Sequence, residues 1–145
     1  MSSKRSREPE QSTVTLLSLA HLMVSRQVAE GAARAGHPVK PSHSAVFGQL
    51  SGAGSRLTDL ARGANMTPQA MGELVDELEA LGYVARTPDP TDRRAKLITL
   101  TESGRQAVAA GVETIGDIER RITKALGASG HGDLRQKLLT LLSEV

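Results

Sequence analysis

The stretch LTDLARGANMTPQAMGELVDELEALGYVARTPDPTDRRAKLITL, residues 57–100, decides the fold. It opens as a short helix, Asp59 to Gly63, with Thr58 as its cap and Asp59 favourable in the first turn. Ala64, Asn65 and Met66 form a turn, and Asn65 tolerates the left-handed backbone that a tight helix–helix corner demands. Thr67 caps the next helix, and Pro68 at its first position gives up no hydrogen bond. That helix turns Ala70, Leu74, Leu78 and Leu81 inward and ends at Gly82. Tyr83 to Thr87 and Ala95 to Leu100 read as two strands of a hairpin with a long tip, Pro88 to Asp92.

Working outward, Ser42 is expected to cap a short helix from His43 to Leu50, followed by a loop from Ser51 to Ser55. Two short helices, a tight turn and a hairpin make a winged helix-turn-helix over 42–101. The fold class is mainly α with a small β-hairpin wing. Upstream, Ser12 to about Ala35 is helical. Val14, Leu17, His21, Val24 and Val28 share one face, and Leu16, Leu19, Leu22 and Met23 widen it. A helix apolar on several sides needs more cover than its own small domain supplies.

Gly36, Pro38 and Pro41 then break the chain. Downstream, Thr101 opens a helix of about Glu102 to Leu126. Its capping box is incomplete, because Gly104 stands where a Glu is wanted. Its apolar line is Val108, Val112, Ile115, Ile118 or Glu119, Ile122 and Leu126. A break over 127–132 precedes a last helix from Asp133, with Leu134, Leu138, Leu141 and Leu142 on one side. The organisation is a tail over 1–11 and one domain over 12–145, in which 12–36 and 102–145 are dimerisation helices. A helix of about 25 residues spans about 37 Å. Two copies can therefore hold two recognition helices about 34 Å apart, one turn of duplex.

The chain of 145 residues has a net charge of +2, too little to imply nucleic-acid binding without a local patch. It has no cysteine, which excludes disulfides, thiolate metal sites and thiol redox switches. Phe47 and Tyr83 are its two aromatic residues, against the several that a single-strand stacking platform needs. Both fall within the winged unit, where they serve the core. No run approaches a membrane span and no signal-peptide pattern is present, so a cytoplasmic protein is expected. His21, His37, His43 and His131 show no metal-ligand spacing, and neither a nucleophile–base arrangement nor a glycine-rich phosphate loop occurs. Neither an enzyme nor a cofactor is expected. Met23, Met66 and Met71 read as packing residues.

Three segments, LTDLAR at 57–62, LEALGYVAR at 78–86 and DPTDRRAKLITLTESG at 89–104, resemble the MarR/SlyA family of bacterial transcription regulators. The resemblance spans about 12–145 and is strongest over 57–104. It implies a homodimer with interleaved end helices, bound to a pseudo-palindromic site on double-stranded DNA as a repressor. It also implies a small lipophilic or phenolic effector in a cleft between the dimerisation and DNA-binding regions. By that resemblance Arg94 is the wing-tip arginine of the minor groove and Asp92 the acid that braces it. Arg93 joins them at the tip. Arg86 and Lys96 meet phosphates. Thr67 to Glu73, with Gln69, start the recognition helix. Ser42 and His43 supply a further phosphate contact, and Arg62, beside the acidic helix, is one more DNA-binding candidate. His21 is the candidate for an effector cleft, or a satisfied interface histidine.

The recognition helix departs from the family in one respect. Residues 67–81 hold Glu73, Asp76, Glu77 and Glu79 and no Lys or Arg. Arginine–guanine readout from this helix is impossible, so base contacts fall to Thr67, Gln69 and Glu73, the last accepting from cytosine. This acidic face is a solvated side, a partner for Arg62, or the mark of a module that binds protein. Without cysteine, the oxidation sensing of some relatives is closed to this chain.

Overall fold

The computed structural model describes residues 11–144. Residues 1–10 of the tail, with Lys4, Arg5 and Arg7, lie outside the described residues. The elements run in order as helix α1 (Thr13–Arg34), a 3₁₀ turn (Pro41–His43) leading into α2 (Ser44–Phe47), α3 (Leu57–Gly63), α4 (Pro68–Ala80), strands β1 (Val84–Asp89) and β2 (Asp92–Leu100), and α5 (Glu102–Glu144). Among the described residues no helix is long and apolar enough to cross a membrane.

The core lies in the middle of the chain. Val46 of α2, Leu60 of α3, Met71, Val75 and Leu78 of α4, Tyr83, Val84 and Ile98 of the hairpin, and Ala107 of α5 form one buried cluster. Phe47 packs against it, edge-on to Tyr83 at 6.5 Å between ring centres, and His37 meets Tyr83 from another side at 5.7 Å. The buried line of α4 is Met71, Val75 and Leu78, one step round from the expected stripe, and Leu81 is exposed. The long, pliable Met71 reaches the centre of the core, a position that the shorter Ala70 cannot fill.

The predicted corner is as expected. Asn65 sits at φ 53°, and the Thr67 hydroxyl accepts from the Ala70 N–H at 3.1 Å. Gly82 takes φ 81° as α4 ends, and the Tyr83 N–H returns to the Leu78 carbonyl at 2.9 Å. Other boundaries move. The cap of α3 is Arg56 on extended backbone, and Thr58 lies inside the first turn. The 3₁₀ turn begins at Pro41 after Lys40, so Ser42 is inside it and does not cap.

The long predicted hairpin tip is also corrected. The strands run on to pair Asp89 with Asp92, leaving two residues between them. Pro88 is opposite Lys96, so Arg93, Arg94 and Ala95 have no counterpart on β1 and bulge. Pro88 has no N–H to give to the ladder at the point where the register shifts. Ser55 adds a bridge to Ile98, which ties the start of α3 to β2.

The C-terminal helix breaks at one residue, Gly127 (φ 73°, ψ 163°), and the break predicted over 127–132 shrinks to that point. At its start, Gly104 is explained by space. A β-carbon there would meet the Tyr83 carbonyl oxygen at 2.0 Å. The incomplete capping box is therefore imposed by packing. Thr101 still caps, accepting from the Gly104 N–H at 3.0 Å while its hydroxyl donates to the Gly82 carbonyl at 2.6 Å.

Candidate nucleic-acid interface

Helix α4 and the wing lie side by side because both are anchored in the same core and because Arg86 joins them. Its guanidinium donates to Asp76 at 2.7 Å and to Glu79 at 2.9 Å. The expected phosphate contact of Arg86 is corrected accordingly. Its charge is spent inside the protein, tying the base of the wing to α4. Glu77 is engaged too, accepting from the His43 ring Nε2 at 2.8 Å and from Lys40 Nζ at 3.3 Å. These hydrogen bonds, that of His43 first, hold its carboxyl below the ordinary value.

His43 is 1% exposed, and its Nδ1 accepts from the Lys40 backbone N–H at 3.0 Å. It therefore carries its proton on Nε2 and serves as an internal strut. The phosphate contact expected of it is withdrawn, since burial leaves it no path to a ligand. Ser42, next to it, stays exposed. Arg62 pairs with Asp59 at 3.1 Å and not with the acidic face of α4.

Three of the four acids of α4 thus face cations of this chain. Glu73 remains on the exposed side with Thr67 and Gln69. Beyond them stands the wing bulge. Arg93, Arg94 and Lys96 are exposed, while the ion pairs around the wing engage Arg56 and Arg86. Asp92 accepts from the Arg94 backbone N–H at 3.0 Å, so it fixes the main chain at the tip rather than gripping the guanidinium.

Sequence reasoning missed the pair beneath this tip. Asp89 is 7% exposed and accepts from Arg56 Nε at 3.0 Å and Nη2 at 2.7 Å. It also accepts from the Thr91 N–H at 2.8 Å and the Thr91 hydroxyl at 2.7 Å. The Thr91 donors first, then Arg56, pull its carboxyl down to about 2. An Asp two residues before a Thr in a turn was the available local signal. The Arg56 partner, 33 residues away, gave none.

Among the described residues, two cavities border both α1 and α2. An apolar one of about 230 Å³ is walled by Val28, Val39, Phe47, Val108, Val112 and Ile115. An open cleft of about 1030 Å³ holds His21 with Leu22, Arg26, Pro41 and Met66. Among the described residues no cluster of three metal-binding side chains occurs.

The sequence profile of the MarR family matches residues 37–95, the stretch that runs into the winged unit and through its wing tip. The fold continues beyond it. CouR from Rhodococcus jostii RHA1, solved bound to p-coumaroyl-CoA, superposes with a TM-score of 0.76 at 26% identity, over 97% of this chain and 98% of that one. Over residues 37–95 the chain is similar to the MarR family. Among curated relatives, the transcriptional activatory protein BadR of Rhodopseudomonas palustris is 42% identical over 65 residues, 42% of this chain and 37% of that protein. The HTH-type transcriptional repressor Rv2887 of Mycobacterium tuberculosis is 31% identical over 86 residues, 59% of this chain and 62% of that one. The chain thus spans less than two thirds of the length of these relatives. Their names carry opposite signs of regulation.

Proposed function

We propose that this chain is a homodimeric DNA-binding transcription regulator of the repressor kind. It reads a pseudo-palindromic duplex through α4 and the β1–β2 wing. The observation that carries the reading is the bulge at Arg93 and Arg94. It presents two exposed guanidinium groups on a main chain braced by Asp92, beside a helix whose acids are largely neutralised from within. Guanidinium groups on a narrow projection suit the negative minor groove of A·T-rich duplex. Thr67, Gln69 and Glu73 remain for base edges in the adjoining major groove. The rival reading, a protein-binding module, rested on the acidic helix. The internal partners of Asp76, Glu77 and Glu79 account for most of that acidity.

The dimer reading rests on unpartnered apolar surface. Val14, Leu16, Leu19 and Leu22 of α1 and Leu138, Leu139 and Leu142 of α5 are all exposed in the single chain. Surfaces of this kind mark an interface. The effector reading rests on the apolar cavity beside α2. Phe47 gives it the aromatic wall that the end helices lack. Lipophilic and phenolic compounds are the class to try, and those that bind lower DNA affinity. This reading places the protein in the cytoplasm, on the nucleoid when DNA-bound.

The decisive experiment is Arg94→Ala in a fluorescence-anisotropy titration of duplex DNA. We expect affinity to fall by at least about tenfold with the dimer intact, and the wild-type affinity to fall steeply with salt. Unchanged binding overturns the wing assignment.

A further inference from the structure

We propose that Arg56 and Asp89 form a clamp that aims the wing: positioning residues that hold the Arg93–Arg94 bulge in place without themselves carrying the contact to DNA. The inference rests on the DNA-binding reading above. A two-stranded hairpin is marginal by itself, and here its ladder lapses where the arginines emerge, because Pro88 has no N–H and β2 has three residues without partners. Something other than the ladder must hold the tip.

Asp89 is the group placed to do so. It is almost fully buried near the end of a wing, where a carboxylate ordinarily stands in water, and each of its oxygens accepts two hydrogen bonds. One oxygen fixes Thr91, which makes the turn. The other is held by Arg56 through two nitrogens, a charge-assisted arrangement with defined geometry. Arg56 Nη2 also lies 3.8 Å from Asp92, and Asp92 holds the Arg94 N–H. The guanidinium of Arg56 is thus linked through Asp89 to the turn and through Asp92 to the bulge.

The base of the clamp is firm. Arg56 caps α3, and its neighbour Ser55 exchanges two backbone hydrogen bonds with Ile98, at 3.0 and 2.7 Å. Helix α3 in turn packs on α4. Wing tip and recognition helix are therefore referenced to one point of the fold, so that a shift of α3 moves both.

The test separates aiming from simple charge. Asp89→Asn removes a negative charge close to the wing, which by electrostatics alone strengthens attraction to phosphate. The clamp predicts the reverse. Affinity is read by anisotropy on a 30-base-pair duplex that the wild-type protein selects from a random pool. Asp89→Asn and Arg56→Met are each expected to weaken binding roughly tenfold. The double variant is expected to lose no more than either, and Arg56→Lys to recover part of the loss. Amide hydrogen exchange at Thr91 and Arg94 is expected to rise much more than exchange in α4, with a modest fall in Tm from the lost carboxylate contribution. Asp89→Asn binding as tightly as wild type or tighter overturns the clamp, as do additive losses in the double variant. Should either variant unfold, Thr91→Val removes one hydrogen bond to Asp89 more gently, and unchanged exchange at Arg94 in that variant overturns the clamp. A wild-type protein that selects no duplex overturns the DNA reading instead. In that case Thr91 exchange in Asp89→Asn still judges the clamp, and no change there overturns it.

Discussion

The winged unit and the end helices are built from similar amounts of aliphatic sequence, yet they bury it differently. In the winged unit Val46, Leu60, Met71, Val75 and Leu78 have no accessible surface. In α1 every residue from 13 to 23 is exposed, and Val14 stands 73% open. The second limb of α5, beyond Gly127, repeats this, with Leu142 at 82%. Where α1 and α5 do meet, they meet through small residues: Ala29 and Ala32 on one side, Ala107 and Gly111 on the other. One region completes its own core. The other presents two apolar surfaces that a single chain leaves open.

The largest expected effect breaks this contrast directly. Leu78→Ala should cost about 2–5 kcal/mol, because it empties a fully buried site in a closed core. Leu142→Ala removes the same atoms from an open surface. It should leave the stability of the isolated chain within about 0.5 kcal/mol, while lowering the midpoint of the dimer and weakening its dependence on protein concentration. Urea denaturation at two concentrations checks both. Equal, concentration-independent losses would show that the end helices are covered within one chain.

Two glycines of α5 sharpen the comparison on a finer scale. Gly104→Ala drives a methyl into the Tyr83 carbonyl, a backbone atom that cannot swing aside, so a loss of about 1–3 kcal/mol or more is expected. Seven residues on, Gly111→Ala meets only Val28 Cγ1 at 3.5 Å, an ordinary contact. There the gain in helix propensity, up to about 1 kcal/mol, should dominate. Opposite shifts in Tm are the expected result, and a gain in both would contradict the close approach of α5 to the hairpin.

Much of the winged unit was legible because its determinants are local. Asn65, Thr67 with Pro68, and Gly82 each announce a corner, a start and a stop within a few residues of where they act. What stayed hidden is non-local. The Arg56–Asp89 pair joins residues 33 apart, and the His43–Glu77 strut joins residues 34 apart. Charges on a helix face read as solvated until the partner's position is known. This is why Arg86, expected at a phosphate, instead serves Asp76 and Glu79. The bulge was missed for a related reason. Proline and charge marked a turn at 88–92, but only the strand pairing reveals that β2 carries three residues beyond its partner.

Acid separates the wing from the rest of the molecule. The carboxyl of Asp89 is held at about 2 by the two Thr91 donors and Arg56, below its ordinary 3.8. A carboxylate whose folded value is depressed stabilises the fold fully above its ordinary value and loses that contribution as pH falls through the folded one. Wing-tip order should therefore be constant from neutrality to about pH 4 and fall away toward pH 2. The Asp89 side-chain carbon shift in an NMR titration checks this. A midpoint near the ordinary value would mean that the clamp is not closed in solution.

The smallest effect belongs to Arg62. It donates to Asp59 at 3.1 Å, three residues away on α3, with both side chains more than half exposed. An exposed pair at this spacing adds little, because water screens the attraction and two long side chains must be ordered to make it. Arg62→Ala should change stability by no more than about 0.5 kcal/mol in a urea titration. The Arg56–Asp89 pair, at 3.0 and 2.7 Å, instead involves a buried carboxylate that accepts four hydrogen bonds, so its loss should be felt across the wing. If Arg62→Ala proves as damaging as Arg56→Met, burial is not what distinguishes the two pairs, and the clamp loses its special standing. If Arg62→Ala is silent in stability yet weakens duplex binding, its guanidinium is a phosphate contact at the α3 side of the interface, in keeping with its exposure.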